Sequence, residues 1–298
     1  MNLILGLLVV TLGVFGGFFV AAGFKFEPFG VLMQPAEWMI ILGAGIGALI
    51  GYAPLSVTKK ILKSIPLAIK GSGITKQTYI QLIGLLMAIF NVIRKEGVLG
   101  LEKDLTDPAN SERFKKYPLI SKNHHAMELL VGSLRLFVDG VINAFDLDKL
   151  METEIETHHH EAAVPSNLIN KMADALPGIG IVAAVLGIII TMGYLDQPPE
   201  IIGHHVAAAL VGTFLGILCC YGYFQPIASS VEIANHDTHV LLNAIRAGIV
   251  AFASGSPPAV ALEFARKAIE SDKRPTDEEM EKVQNEARGM GSKSEEEK

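Results

Sequence analysis

No lysine or arginine occurs between Lys171 and Arg246. Inside that interval residues 175–195 and 206–230 are apolar almost throughout, and each is close to the roughly 20 residues that an α-helix needs to cross hydrocarbon. Cysteine is also scarce: Cys219 and Cys220 are the only two, adjacent in the later stretch. Neighbouring cysteines do not readily bridge, so a disulfide framework is excluded and the pair is expected to pack as small apolar groups. There is no alternating β pattern and no internal repeat. The net charge of −6 excludes a nucleic-acid binder, because phosphate neutralisation needs a basic surface. The apolar stretches also lack Asp, Glu, Lys, Arg and His in their interiors, with Glu37, Asp174, His204 and His205 at their edges. Intramembrane ionisable groups usually mark ion paths, so a pump or transporter working alone is disfavoured. Any titrating group is expected to come from another chain.

What is present is a partition of charge. Of the 25 basic residues, fifteen lie between Lys59 and Lys171, nine between Arg246 and Lys298, and only Lys25 elsewhere. Positive charge stays on the cytoplasmic side. The link Asp196-Gln197-Pro198-Pro199-Glu200, which has no cation, is therefore expected outside. Two earlier apolar stretches, residues 2–24 and 38–53, complete four spans with both termini inside. The first has no basic leader or small-residue cleavage site, so it reads as a retained span. Apolar residues make 50% of the chain and charged ones 19%, which indicates a soluble part fused to a membrane part. The expected fold is all-α: a polytopic membrane protein with four transmembrane helices and a large helical cytoplasmic domain. The expected divisions are 1–54 (spans one and two), 55–172 (cytoplasmic loop), 173–230 (spans three and four) and 231–298 (cytoplasmic tail).

Within the loop, residues 79–93 are apolar but too short to cross, which predicts a buried or interfacial helix. Residues 126–147 read as one amphipathic helix. The tail is expected to be helical from about residue 231, to break at Gly255-Ser256-Pro257-Pro258, and to resume over 259–269. The last dozen residues, with a charged end, read as disordered. Small residues recur at helix-contact spacing: Gly43, Gly47 and Gly51 in span two, Gly13 and Gly17 in span one, and Ala208, Gly212 and Gly216 in span four. Such stripes let helix backbones approach closely, either within one subunit or between neighbours. Pro177 and Pro226 frame the inner ends of spans three and four, each freeing a backbone carbonyl. Thr213 and Thr191 either bond back to their own helices or line a wet path. His158-His159-His160 near Glu154, and Glu200 near His204, do not repeat a spacing that closes a metal shell. No metal or cofactor is expected.

The run Leu176-Pro177-Gly178-Ile179-Gly180, continuing to Gly187, resembles the third span of the MotA family of flagellar stator subunits. Val211-Gly212-Thr213-Phe214-Leu215-Gly216, then Tyr221-Gly222 and Pro226, resembles the fourth. Gln34-Pro35-Ala36-Glu37 and Glu263-Phe264-Ala265-Arg266-Lys267 extend the likeness in order along the chain. The resemblance implies a homopentameric ring in the bacterial inner membrane. That ring surrounds a MotB-like, single-span, peptidoglycan-binding partner, which supplies the ion-carrying aspartate. It also implies that the cytoplasmic loop pushes the rotor protein FliG through charge contacts.

Carried onto this chain, the rotor contacts are Arg94 and Glu102, with Glu154 as a weaker candidate; the two glycines between Arg94 and Glu102 predict a turn there. Pro177 and Pro226 match the prolines tied to torque, and Thr213 matches the channel-side hydroxyl. Sodium-driven members carry a threonine seven residues after the span-three proline, where this chain has Ala184. A methyl cannot replace the oxygen ligands of a hard cation, so the transported ion is expected to be a proton. The alternatives are a sodium-driven stator, with the partner deciding the ion, and an energiser of envelope transport resembling ExbB and TolQ. The first apolar pair disfavours the latter.

Overall fold

Prolines and glycines set the limits of the helices. The computed structural model describes residues 2–293, with no strand among them. In chain order come α1 (Asn2–Thr11), a π-helical segment (Leu12–Gly16), α2 (Gly17–Ala21), α3 (Phe29–Leu32), α4 (Pro35–Tyr52) and α5 (Leu55–Lys70). Then follow α6 (Lys76–Glu96), α7 (Glu102–Thr106), α8 (Glu112–Lys115), α9 (Pro118–Ser121) and α10 (His124–Val138). The chain closes with α11 (Ala144–Met192), α12 (Pro199–Ile217), a second π-helical segment (Leu218–Phe224), α13 (Gln225–Ala253), α14 (Pro258–Lys267) and α15 (Asp277–Lys293). Proline opens α4, α9, α12 and α14, where its missing N–H would be unpaired in any case. Thr75 and Thr78 cap α6 reciprocally, and the Asn123 side chain accepts from the Ala126 N–H at the start of α10.

Several expectations change in detail. Residues 126–147 are not one helix, because α10 stops before Gly140, whose φ of +67° is a left-handed value that side chains disfavour. Pro177 begins no element: α11 passes through both Pro165 and Pro177 over 49 residues. The hairpin tip is longer on the α11 side, where the helix ends at Met192 rather than near 195. Helix reaches Lys293 at the tail, so most of the last dozen residues are helical; the rest of that disorder expectation, residues 294–298, lies outside the described residues.

The chain forms two compact units, Met1–Gly71 with Ala162–Ala234, and Ser72–Glu161 with Asn235–Lys298. These are divisions by packing, a different partition from the membrane and cytoplasmic blocks expected from sequence. Helix α5 falls in the first unit because Ile61 packs with Leu168, Ile169 and Ala228. In the second unit Leu82, Leu86, Ile89 and Phe90 of α6 meet Leu130, Leu134, Leu241 and Ile245 in one core. There the Phe90 and Phe252 rings stack at 4.2 Å. Burial of each such side chain stabilises by about 1.5–3 kcal/mol. Among the described residues, five helices are long and apolar enough to cross a membrane: Asn2–Ala21, Phe29–Tyr52, Lys76–Glu96, Ala144–Met192 and Pro199–Ala253. Of these, Lys76–Glu96 has 56% of its apolar window buried by its own unit, against 6% and 17% for the first two.

In the first unit the span-four stripe is used internally. A Cβ on Gly216 would lie 2.6 Å from the Leu176 carbonyl oxygen and 3.0 Å from Gly180 Cα, and one on Gly180 would lie 2.7 Å from the Gly212 carbonyl. Only backbone fits at this crossing. Ala209, rather than Ala208, closes it at the outer end against Gly187. Span two differs. Its buried residues are Glu37, Ile41 and Gly45, one helical stripe. Gly43, Gly47 and Gly51 are two residues out of phase, so they point to the opposite face, and a Cβ on any of the three meets nothing within 4 Å. The same is true of Gly13 and Gly17. Gly216→Val should therefore lower the melting temperature of the detergent-solubilised subunit, since overpacking costs about 1–3 kcal/mol. Gly47→Leu should leave that melting unchanged and instead lower the oligomer mass seen by light scattering. Equal melting of both variants would show that the two stripes have been assigned to the wrong faces.

Candidate ion path and rotor-facing loop

Helices α11 and α12 present a wall of apolar and small residues, held at the end nearer Pro177 and Pro226 by a polar tie. Pro177 in α11 leaves the Ala173 carbonyl without its helical donor, and Pro226 does the same to Gly222. The wide turn at Leu218–Phe224 directly precedes Pro226, and π turns absorb a local loss of helical bonds. Asp174 accepts a 2.9 Å hydrogen bond from Gln225 Nε2, which fixes the two proline-bearing segments together. Cys219 and Cys220 are free thiols, both buried, in their expected packing role.

The two threonines separate. Thr191 is 1% exposed, and its hydroxyl donates to the Gly187 carbonyl at 2.8 Å, the ordinary back-bond of a helical threonine. Thr213 is half-buried, and no such bond engages its hydroxyl among the described residues. Ala184 is buried against span four, where a Cβ on Gly212 would lie 3.2 Å from its backbone nitrogen.

Glu37 departs most from the sequence expectation. It was placed at the edge of span two, yet it is 7% exposed and its Oε2 is buried without a hydrogen-bond partner. A Cβ on Gly212 would lie 2.5 Å from that oxygen, and one on Gly187 would lie 3.6 Å from Oε1. The carboxyl thus fills the room that Gly212 leaves open, while the room at Gly187 is taken chiefly by Ala209. The expectation that no ionisable group reaches the interior of the spans fails here, because a side chain in the first turn of a helix can reach its neighbours' mid-sections. The signal was available in the sequence: Glu37, Ile41 and Gly45 follow one another at intervals of four.

In the second unit, Arg94 lies in the exposed last turn of α6. Gly97, at φ +76°, turns the chain into a short 3-10 helix (Val98–Leu101), and Glu102 opens α7. The expected turn is present. Gly100 sits under Glu96, where a Cβ would be 2.9 Å from the Glu96 Cβ. Among the described residues no ion pair or hydrogen bond engages the Arg94 or Glu102 side chains, so both charges are open to solvent. Glu154 is elsewhere, lining a cavity of about 690 Å³ with His125, Glu128, His158 and Glu161. Partial burial there, with the Glu128 charge, raises its proton affinity above the usual carboxylate value.

The histidines pair rather than cluster. The His125 and His158 rings lie 4.2 Å apart, and those of His159 and His239 lie 4.5 Å apart. Burial, then the proximity of His125, lowers the His158 pKa. His205 stacks on Tyr194 at 4.2 Å, while Glu200 is exposed. Among the described residues no group of three His, Cys, Asp or Glu is placed to hold a metal.

The chain matches the family model described as motility protein A N-terminal over residues 4–97. It matches the MotA/TolQ/ExbB proton channel family over residues 122–238. It is 39% identical to motility protein A of Escherichia coli (strain K12) over 281 residues, which cover 94% of each chain. It is 38% identical to chemotaxis protein LafT of Vibrio parahaemolyticus over 95% of this chain and 98% of that one. Its fold is similar to a solved C. jejuni MotAB structure, with a TM-score of 0.76 and 19% identity over 93% of this chain and 98% of that chain. It is also similar to the flagellar MotAB stator complex from Bacillus subtilis, with a TM-score of 0.69 and 23% identity over 86% of this chain and 92% of that chain. The chain belongs to the motility protein A family of flagellar stator subunits, within the MotA/TolQ/ExbB proton channel family.

Proposed function

We propose that this subunit forms, with a MotB-like single-span, peptidoglycan-binding partner, a proton-conducting torque generator that acts on the rotor protein FliG. The observation that carries the reading is the α11–α12 pair. Its two helices meet through glycine backbone at Gly180, Gly212 and Gly216 and leave the Thr213 hydroxyl unengaged, and Asp174 of α11 is tied to Gln225 at the start of α13. Such a pair makes a wall along which an ion carried by another chain can move. The solved relatives are MotAB complexes, which supports the partner. The match over residues 4–97 supports a stator over an ExbB- or TolQ-like energiser.

Four spans with both termini cytoplasmic accord with the charge partition, and α6 fits the soluble unit because its apolar face is already covered. The outward-facing Gly43, Gly47 and Gly51 stripe suits contacts with neighbouring subunits, as a homopentameric ring in the inner membrane requires. Ala184 in place of an oxygen-bearing side chain, and Thr191 committed to its own helix, leave Thr213 as the one free hydroxyl of the three positions. That supply suits a proton on a partner's carboxyl and not a desolvated sodium ion. Swimming speed at fixed proton motive force is expected to be flat against external sodium; a steep dependence would overturn the proton assignment.

Arg94 and Glu102, at opposite ends of the Gly97 turn and free of internal partners, suit steering and register on the rotor by complementary charge. Glu154, in its cavity, suits that role less. Reversing the charge of Arg94 or Glu102 should impair motility without changing ion permeation, and a compensating reversal on FliG should partly restore it. Normal swimming by both reversals across a range of salt would remove the loop from the rotor interface.

A further inference from the structure

The interior of the membrane unit holds a titratable group that the proposed mechanism leaves without a task. Glu37 is 7% exposed, and among the described residues its buried Oε2 has no hydrogen-bond partner. It lies beside Gly187 of α11 and Gly212 of α12. Residues 175–192 of α11 and 206–217 of α12, on either side of Gly187 and Gly212, contain no acid, base or histidine; of the titratable groups just beyond them, Glu200 and His204 are exposed. An ionised carboxylate buried without a partner is far more costly than the neutral acid. Asp174 and Gln225 engage each other at the inner end, and His205 stacks on Tyr194, so neither of these groups serves Glu37.

Packing alone explains the site poorly. At Gly212 the atom nearest to an added Cβ would be Glu37 Oε2, at 2.5 Å, whereas at Gly180 and Gly216 it would be a backbone carbonyl oxygen. An apolar side chain from span two would fill the gap without the burden of a buried acid. We propose that Glu37 is a proton-holding group of this chain, which takes protons from the outer aqueous face and passes them into the α11–α12 groove. The outward position of α4's first turn and the identity of the acceptor rest on the stator reading above; the holding of the proton does not. In the loading step an O–H bond of hydronium breaks, one forms at Glu37 Oε2, and water is released. In the unloading step that O–H bond breaks, the proton moves to a carboxylate of the partner, and Glu37 is left ionised until it is reloaded.

Two measurements test this. The purified chain without partner, in lipid vesicles, should show the infrared carbonyl stretch of a neutral carboxylic acid at neutral pH. The band should be shielded from the bulk and absent in Glu37→Gln. Its absence from the native chain would overturn the proposal, however the variant behaves. With the partner present, Glu37→Gln should lower proton flux by about a hundredfold or more, the range that positioned proton-transfer groups contribute. Glu37→Asp should retain an intermediate flux, with a shifted dependence on external pH. Flux in Glu37→Gln equal to that of the native complex would overturn the relay. Should Glu37→Gln fail to assemble, Glu37→Asp and the native band carry the decision. Failure of the stator reading would instead abolish flux with every partner and leave the band in place.

Discussion

The membrane unit depends on how closely two backbones can lie. In hydrocarbon every peptide group must be satisfied inside its own segment, so the spans are helices, and with no hydrophobic drive between them they associate through dispersion and close approach. At Gly180, Gly212 and Gly216 there is no room for a single Cβ. This contact sets the position of α11 against α12. With it are set the two prolines at the inner end and Thr213 halfway along. The apolar cluster that gathers Ile41, Leu176, Ala183 and Val211 in this unit follows from that register.

The same contact explains how one chain separates internal from external surfaces. Glycine stripes look alike in sequence, but phase distinguishes them. In α4 the stripe through Glu37, Ile41 and Gly45 turns inward, and the stripe through Gly43, Gly47 and Gly51 turns outward with open space around it. A subunit that assembles with others needs two kinds of face, one closed and one available. In the second unit the outward groups are charges: Arg94 and Glu102 stand at the two ends of a glycine-made turn, over a core built from α6.

Much of this was legible in the residues, for identifiable reasons. The spans, the buried α6 and the turn after Arg94 rest on composition, length and glycine, which act locally. The division at Gly140 was missed because apolar periodicity continues across it while a single φ value interrupts the helix. The continuity of α11 through Pro177 was hidden because a proline removes a hydrogen bond without necessarily ending a helix when neighbours hold both sides. Glu37 was missed for a third reason: the depth of a side chain is set by its neighbours, and the glycines that admit it lie more than a hundred residues away in sequence. The two threonines were indistinguishable until the hydroxyl of Thr191 was seen bonded to Gly187 and that of Thr213 was not.

The account holds that this chain supplies the wall and the mechanical loop, and that conduction needs a carboxyl from a second chain. Proton flux into liposomes containing the purified chain alone, compared with liposomes containing it together with a single-span, peptidoglycan-binding partner, tests that division most directly. The account predicts no flux above protein-free vesicles for the chain alone and clear flux for the pair. Robust, selective flux from the chain by itself would contradict it.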